Sequence, residues 1–369
     1  MLTVSRNASS LSSISIIRTM THFRLAVKQD NEQLIELTGT SPMQGKTSLR
    51  IDSNPDFFQL LNMRGKSKVF IAVNDHTIVG SLCVSSQQVY INKQIFPVHY
   101  IGDFKVAPAF RGTGIGIQLC NELEKYLLST DADLVFLTVA KGNHKPFPFF
   151  KGRTGIPDFE NIGTFIVHQF IGINKKGIDA GNEIEQTDAD DEVIEFLNNH
   201  YSTYELGSVI TKKKLEDAEI FIIRKKNKIT AALCLIDTMN AKQNVVIKMS
   251  LRDKFLIRII NAMHQPLGIS KMPAINEAIR MIYIKYLAAN ANEKRLVKLL
   301  INYARKIAYD KSYSFISLGL HEKDALNKCL PGFPKFTFHA NGMFLSMKNN
   351  RSLIEKVMKG IPFEDFSLV

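Results

Sequence analysis

Residues 106–116 read VAPAFRGTGIG: a β-like run, a proline, an arginine and three glycines, followed by apolar Ile115, Leu119, Leu123, Tyr126 and Leu127 at helical spacing. Glycine loses more backbone entropy on folding than any other residue, so three within five positions mark a place where the backbone must approach something closely. A strand that runs through such a loop into a helix aims several backbone N–H groups at one spot, and the helix dipole makes that spot favour negative charge. Arg111, just ahead of the glycines, adds a charge-assisted donor. The segment therefore reads as a pyrophosphate cradle, with a tight turn that binds nothing as the bland alternative. It is not a GxxxxGK[ST] loop, which the chain lacks, and Gly112, Gly114 and Gly116 do not match GxGxxG.

The neighbouring segments supply a framework. FRLAV (23–27) reads as a strand, and Asp30 as the cap of a helix through Leu37. PDFFQLLNMR (55–64) reads as a helix with proline at its first position. KVFIAV, the turn NDH and TIVGSLCV form a hairpin, FPVHYIGDFKVA another strand, and DLVFLTVA (133–140) a strand after the glycine-led helix. An acidic patch between Glu183 and Glu192 follows. Beyond it the chain repeats itself: FIAVNDHTIVGSLCV (70–84) aligns without gaps on FIIRKKNKITAALCL (221–235), with Phe, two Ile, Leu and Cys coinciding. A further match, DFKVAPAF to YIKYLAAN, lies at a larger offset. This places an insertion in SLRDKFLIRIINAMHQPLGISKM (250–272), which reads as a helix around Lys254 to His264 covering part of a cleft. A chance likeness between two hairpins is the alternative to a true repeat.

With 369 residues, 45% of them hydrophobic and 22% charged, the chain can bury two or three domain cores. Cys83, Cys120, Cys234 and Cys329 form no CxxC pair, which suits reduced thiols and a cytoplasmic setting. The net charge of +12 is spread, with 19 basic against 14 acidic residues up to residue 180 and 28 against 21 beyond it. Such a diffuse field suits any polyanion, including a phosphorylated cofactor. Specific nucleic-acid binding is not expected, since neither zinc-ligand spacing nor an aromatic-basic RNA-binding segment accompanies the charge. No apolar stretch approaches the roughly 18 residues of a membrane helix, so no membrane partner is expected. The Ser-rich, Arg-bearing N-terminus has no acidic residue before Asp30; it reads as an organellar transit peptide, a disordered extension, or an upstream start ahead of Met20.

VAPAFRGTGIG resembles the acyl-CoA-binding motif VxPxxRGxGIG of the GNAT superfamily of N-acetyltransferases. The resemblance implies an α/β acyl-CoA N-acyltransferase (GNAT) fold, a mixed central sheet flanked by helices, in two tandem copies. The implied division is an extension (1–22), an N-terminal CoA-binding domain (23–172), a linker (173–186), a degenerate second domain with an inserted helix (187–348) and a C-terminal extension (349–369). Carried over, Phe104, Lys105 and Val106 would pair their backbone with the pantetheine arm of acetyl-CoA. Arg111, Gly112, Thr113, Gly114, Ile115 and Gly116 would hold the pyrophosphate, and Asn143 would contact the cofactor beyond it. The implied reaction is direct attack by a primary amine of an unidentified small-molecule or protein acceptor, with no metal and no covalent enzyme intermediate.

The departures matter. Where the family often has a tyrosine acid the chain has Phe150, and where it often has a glutamate base it has Thr138. Asp103, His144 and His168 are the candidate bases, each with a bland alternative: a loop brace, an exposed side chain and a satisfied sheet residue. The missing acid and base also leave open a non-catalytic acyl-CoA sensor. In the second copy AANANEKRLV (288–297) has no glycine, and Glu293 would oppose a phosphate, so that copy reads as unable to bind CoA.

Overall fold

The computed structural model describes residues 21–40, 48–143, 149, 156–174, 183–290 and 292–369. Up to the linker, β1 (Thr21–Leu25), α1 (Asn31–Gly39), β2 (Ser48–Asp52), α2 (Phe57–Arg64), β3 (Lys66–Asn74), β4 (Thr77–Ile91), β5 (Gln94–Val106), α3 (Ile115–Leu128), β6 (Leu134–Ala140) and β7 (Glu160–Ile171) follow one another. Then come β8 (Glu185–Thr187), α4 (Asp191–Tyr201), β9 (Gly207–Ser208), α5 (Lys212–Leu215), β10 (Ala218–Lys225), β11 (Lys228–Asp237), β12 (Gln243–Lys248) and α6 (Leu251–Leu267). The chain closes with β13 (Met281–Ala289), α7 (Lys294–Asp310), β14 (Phe315–His321), β15 (Lys335–Ser346) and α8 (Arg351–Lys359).

Two element boundaries differ from the sequence reading for local reasons. α2 begins at Phe57 rather than at Pro55, capped by Asp56, whose carboxylate accepts from the Phe58 N–H at 2.9 Å. Asp30 stands at the head of α1 but does not cap it; its carboxylate takes two bonds from Arg24 and the Val27 N–H instead.

Among the described residues the main sheet has thirteen strands in the order β1-β3-β4-β5-β6-β15-β7-β14-β13-β11-β10-β8, with β9 on β4. The inner strands β13 and β14 are buried along their whole length, because helices cover both faces of the sheet. On one face α3 buries Leu119, Leu123 and Leu127 against β3 to β6, and α7 buries Leu296, Leu300, Ile301 and Ala304 against β10 to β14. On the other face lie α1 and α2, α8, and α4. The two hairpins suspected of being a repeat share their geometry. Phe70 opposes Leu82 and Phe221 opposes Leu233, and the bulges fall between Ala72 and Val73 and between Ile223 and Arg224, 151 residues apart.

The joint between the halves is an exchange of strands. β7 follows β6 in the chain yet pairs with β14, Ile171 opposite Phe315 through Phe165 opposite His321. β15 follows β14 yet pairs with β6, Ala340 opposite Ala140 through Ser346 opposite Leu134, and it also pairs with β7. A second tie, β12 paired with β2, lies just ahead of the insertion. Its helix α6 runs over Leu251–Leu267, longer than the sequence suggested.

Candidate functional site

The site begins where two parallel strands part. β5 and β6 pair at Val98–Leu134, His99–Val135 and Tyr100–Phe136, and the ladder stops there although both strands continue. On its other edge β6 stays paired to β15 as far as Ala140. β5, in contrast, carries a bulge: Ser81 and Cys83 of β4 oppose Lys105 and Gly102, two residues against three. Asp103 takes the surplus position at φ 46°, which bends the strand and leaves its β6-facing edge without a partner strand.

The split opens into a cleft of about 670 Å³. One wall is Ile101, Asp103 and Phe104 of β5 with Thr138, Ala140 and Asn143 at the end of β6. The opposite wall combines Gln169 of β7 with Tyr283, Ser317, His339 and Phe338 of the second half, and Lys242 and Asn244 from just ahead of the insertion. Thus β12 and its approach line the cleft, whereas no α6 residue does.

At the outer end of the split the RGTGIG turn leads into α3. Gly112 and Gly114 have φ 81° and 92°, and a Cβ at either would meet nothing within 4 Å, so the backbone faces open space on that side. Gly114 occupies the N-cap position without any side-chain cap, and the first intrahelical bond is Gln118 N–H to Gly114 C=O. The N–H groups of Ile115, Gly116 and Ile117 therefore have no partner within the helix. Thr113 closes the turn through its hydroxyl on Phe110 O at 2.7 Å, and Arg111, exposed, donates from Nε to Val106 O at 3.1 Å. Gly116 differs from its neighbours, because a Cβ there would lie 3.0 Å from the Phe149 ring and 3.2 Å from Phe104. Its small size lets α3 settle on that edge-to-face aromatic pair. An exposed turn leading into helix-start amides, a bared strand edge and a largely apolar cleft in series have the shape of a site for an elongated ligand with a diphosphate at one end.

The candidate bases separate. Asp103 lines the cleft, with Lys105 Nζ at 3.2 Å from its carboxylate. His168 points to the opposite face of β7 from its cleft-lining neighbours Val167 and Gln169, bonds Asn327 at 2.9 Å, and has its pKa lowered by burial. Its Nδ1 is also buried and has no hydrogen-bond partner among the described residues, so it is a sheet histidine bonded on one ring nitrogen only. His144 and Phe150 lie outside the described residues. Thr138 is on the cleft wall, but its hydroxyl is engaged by Tyr100 at 2.9 Å. Burial pushes the Tyr100 phenol up to about 12, and the Arg64 guanidinium lies 3.6 Å from its ring centre. His339 is a cleft residue the sequence did not single out. It arrives through the strand exchange, and no local pattern marks it.

The equivalent split in the second half is plugged. β13 and β14 pair at Met281–Phe315 through Tyr283–Ser317 and then part. The gap is filled by Phe363, Glu364, Tyr201 and Tyr204, which leave only about 10 Å³. Farther along, a Cβ on Gly319 would sit 2.0 Å from the Phe366 ring. The plug is anchored by Arg64, whose Nη1 lies 2.8 Å from Glu364, both side chains being buried, and whose Nη2 donates to Leu368 O at 2.9 Å. At the head of α7 Glu293 takes the N-cap position, and its carboxylate is 3.0 Å from Lys225.

Residues 31–155 match the model of the acetyltransferase (GNAT) family. No curated protein matches the chain. Among solved structures, Saccharomyces cerevisiae N-myristoyltransferase with bound myristoyl-CoA is similar at a TM-score of 0.58 and 12% identity, over 89% of this chain and 83% of that one. A GCN5-related N-acetyltransferase from Anabaena variabilis is similar at 0.50 and 12% identity, over 89% and 73%. At such identities the likeness is one of fold, and it runs through both halves of the chain.

Proposed function

We propose, from the match of residues 31–155 to the GNAT acetyltransferase family model, that the protein is an N-acyltransferase that moves an acyl group, acetyl in the simplest case, from acyl-CoA to a primary amine held in the cleft. The observation that carries this reading is the continuity of the RGTGIG turn, the bared edge of β5 and the cleft. The thioester supplies the electrophile. The turn and the N-terminal amides of α3 would hold the pyrophosphate, and the free edge of β5 from Ile101 to Val106 would take the pantetheine arm and polarise the thioester carbonyl. Of the three bases expected from sequence, Asp103 is the one that both lies among the described residues and faces the cleft, so it is our choice to accept the proton of the attacking amine; His339, across the cleft, is the reserve. The division of labour follows: residues 23–172 bind the donor, while residues 187–348 with the C-terminal extension shape the acceptor side. A cleft of about 670 Å³ exceeds what an acetyl group needs, which favours either a bulky acceptor or a longer acyl chain. The test is release of free thiol from acetyl-CoA and longer acyl-CoAs against amines, polyamines, amino acids and peptides. Amine-dependent release supports the reading. Tight CoA binding without release from any donor and acceptor pair would favour a sensor.

A further inference from the structure

Among the described residues, helix α6 is the one long helix with no fully buried side chain. Leu251, Phe255, Leu256, Ile259, Met263 and Leu267 are each between 45% and 82% exposed. At helical spacing they fall within an arc of roughly 160°, interrupted near the helix start by Arg252. The roll of the helix is fixed, because the Asn261 side chain donates to Met272 O at 2.9 Å and accepts from its N–H at 2.8 Å. On that inner side Ile257 and Ile260 pack with Met272, Met281 and Tyr283, so the apolar arc is held outward.

Three cations accompany this arc. Arg252, Lys254 and Arg258 are exposed, and none has an ion-pair partner among the described residues. The single acid of the helix, Asp253, is engaged at 2.7 Å by the capping Ser250 hydroxyl. The apolar surface also continues toward the cleft. Phe338, which is 48% exposed, lines it, and Phe336, 51% exposed, sets its ring edge-to-face on Phe315 in the cluster that receives Ile257 and Ile260.

We propose that α6 is a peripheral docking element that lies in the plane of an anionic lipid bilayer. Its apolar arc would enter the acyl boundary while Arg252, Lys254 and Arg258 meet lipid phosphates. No described helix is long and apolar enough to cross a membrane, so the contact is interfacial. The sequence expectation of no membrane partner rested on the want of a spanning stretch, which an interfacial helix does not need. Charge decides between this occupant and a second copy of the chain: a two-fold contact would gather six cations of the two helices, with only two acids, into one interface, whereas an anionic surface complements them. Docking would also bring the cleft mouth to the lipid surface. That consequence rests on the acyltransferase reading, but the docking itself does not.

The experiment is flotation of the full chain with large unilamellar vesicles of phosphatidylcholine, with and without about one third phosphatidylglycerol. The protein is expected to float with the phosphatidylglycerol vesicles. Phe255→Ser with Ile259→Ser should cut the partition at least about tenfold, and Lys254→Gln with Arg258→Gln should remove the preference for the anionic lipid. All four side chains are exposed, so circular dichroism melts should coincide with the parent's. Failure to float with either vesicle, or flotation undiminished in the Phe255→Ser, Ile259→Ser variant, would overturn the proposal. So would sedimentation equilibrium showing a dimer that this same variant makes monomeric, since the face would then be a self-association surface.

Discussion

Replacing Gly114 and Gly116 separately by alanine distinguishes a backbone that must meet a ligand from one that must meet its own core. Gly114 has φ 92°, and a methyl there would meet nothing within 4 Å among the described residues, so Gly114→Ala adds no clash with them. Its stability cost is conformational, about 1–2 kcal/mol for a left-handed residue. With an unfolding entropy near 0.8 kcal/mol/K for a chain of this length, the melting temperature should fall by only about 1–3 °C. The new methyl occupies the open side of the turn, however, and losing one charge-assisted bond to phosphate costs about 1.5–3 kcal/mol, or roughly 10- to 150-fold in CoA affinity. Gly116→Ala reverses the balance. Its methyl starts 3.0 Å from Phe149 and 3.2 Å from Phe104, an overpacking that costs about 1–3 kcal/mol of stability. CoA affinity should then fall less than in Gly114→Ala. Calorimetric titration with CoA and thermal melts of both variants give the four numbers. Unchanged affinity in a folded Gly114→Ala would place the pyrophosphate elsewhere, and a Gly116→Ala that lost binding at full stability would refute the packing role assigned to Phe149 and Phe104.

Two further outcomes follow from the buried charges. Arg64→Met strands the buried Glu364 and should cost about 3–5 kcal/mol, a fall of about 4–6 °C in melting temperature. Burial already raises the Glu364 carboxyl to about 7, so the loss should be smaller at pH 6, where the group takes up a proton, than at pH 8; equal losses would contradict this. His200 has its pKa lowered by burial from 6.5 to about 4, and its Nε2 has no hydrogen-bond partner among the described residues. Below pH 6.5 the unfolded chain binds the proton and the folded one does not, so the stability His200 confers is complete above pH 6.5 and lost as pH falls through 4. The swing is about 3 kcal/mol, and His200→Phe should flatten that part of a stability-against-pH curve measured by urea unfolding.

The turn RGTGIG was legible because its chemistry is local: a strand, backbone conformations that require glycine, and a helix start all lie within eleven residues. The repeated hairpin was legible because Phe, Ile, Leu and Cys recur in one register, which the matching bulges bear out. What stayed hidden was pairing between distant segments. The apolar alternation of residues 160–171 and 335–346 announces strands but not that each crosses to the other half's sheet, and only that crossing brings Gln169 and His339 to the cleft. His168 shows the same limit. FIVHQF separates His168 from Val167 and Gln169, but the pattern does not say which face meets the cleft. The plug from Phe363 to Phe366 was invisible for the opposite reason, since nothing in its composition names the gap it fills.

Amide hydrogen exchange with and without CoA tests the central claim most directly, because it reads the backbone groups on which the claim depends. Saturating CoA should slow exchange at residues 101–106 along β5 and 112–117 in the turn and first turn of α3, and leave 284–297, the plugged equivalent, unchanged. Protection confined to 284–297, or none in 101–117 at saturation, would contradict it.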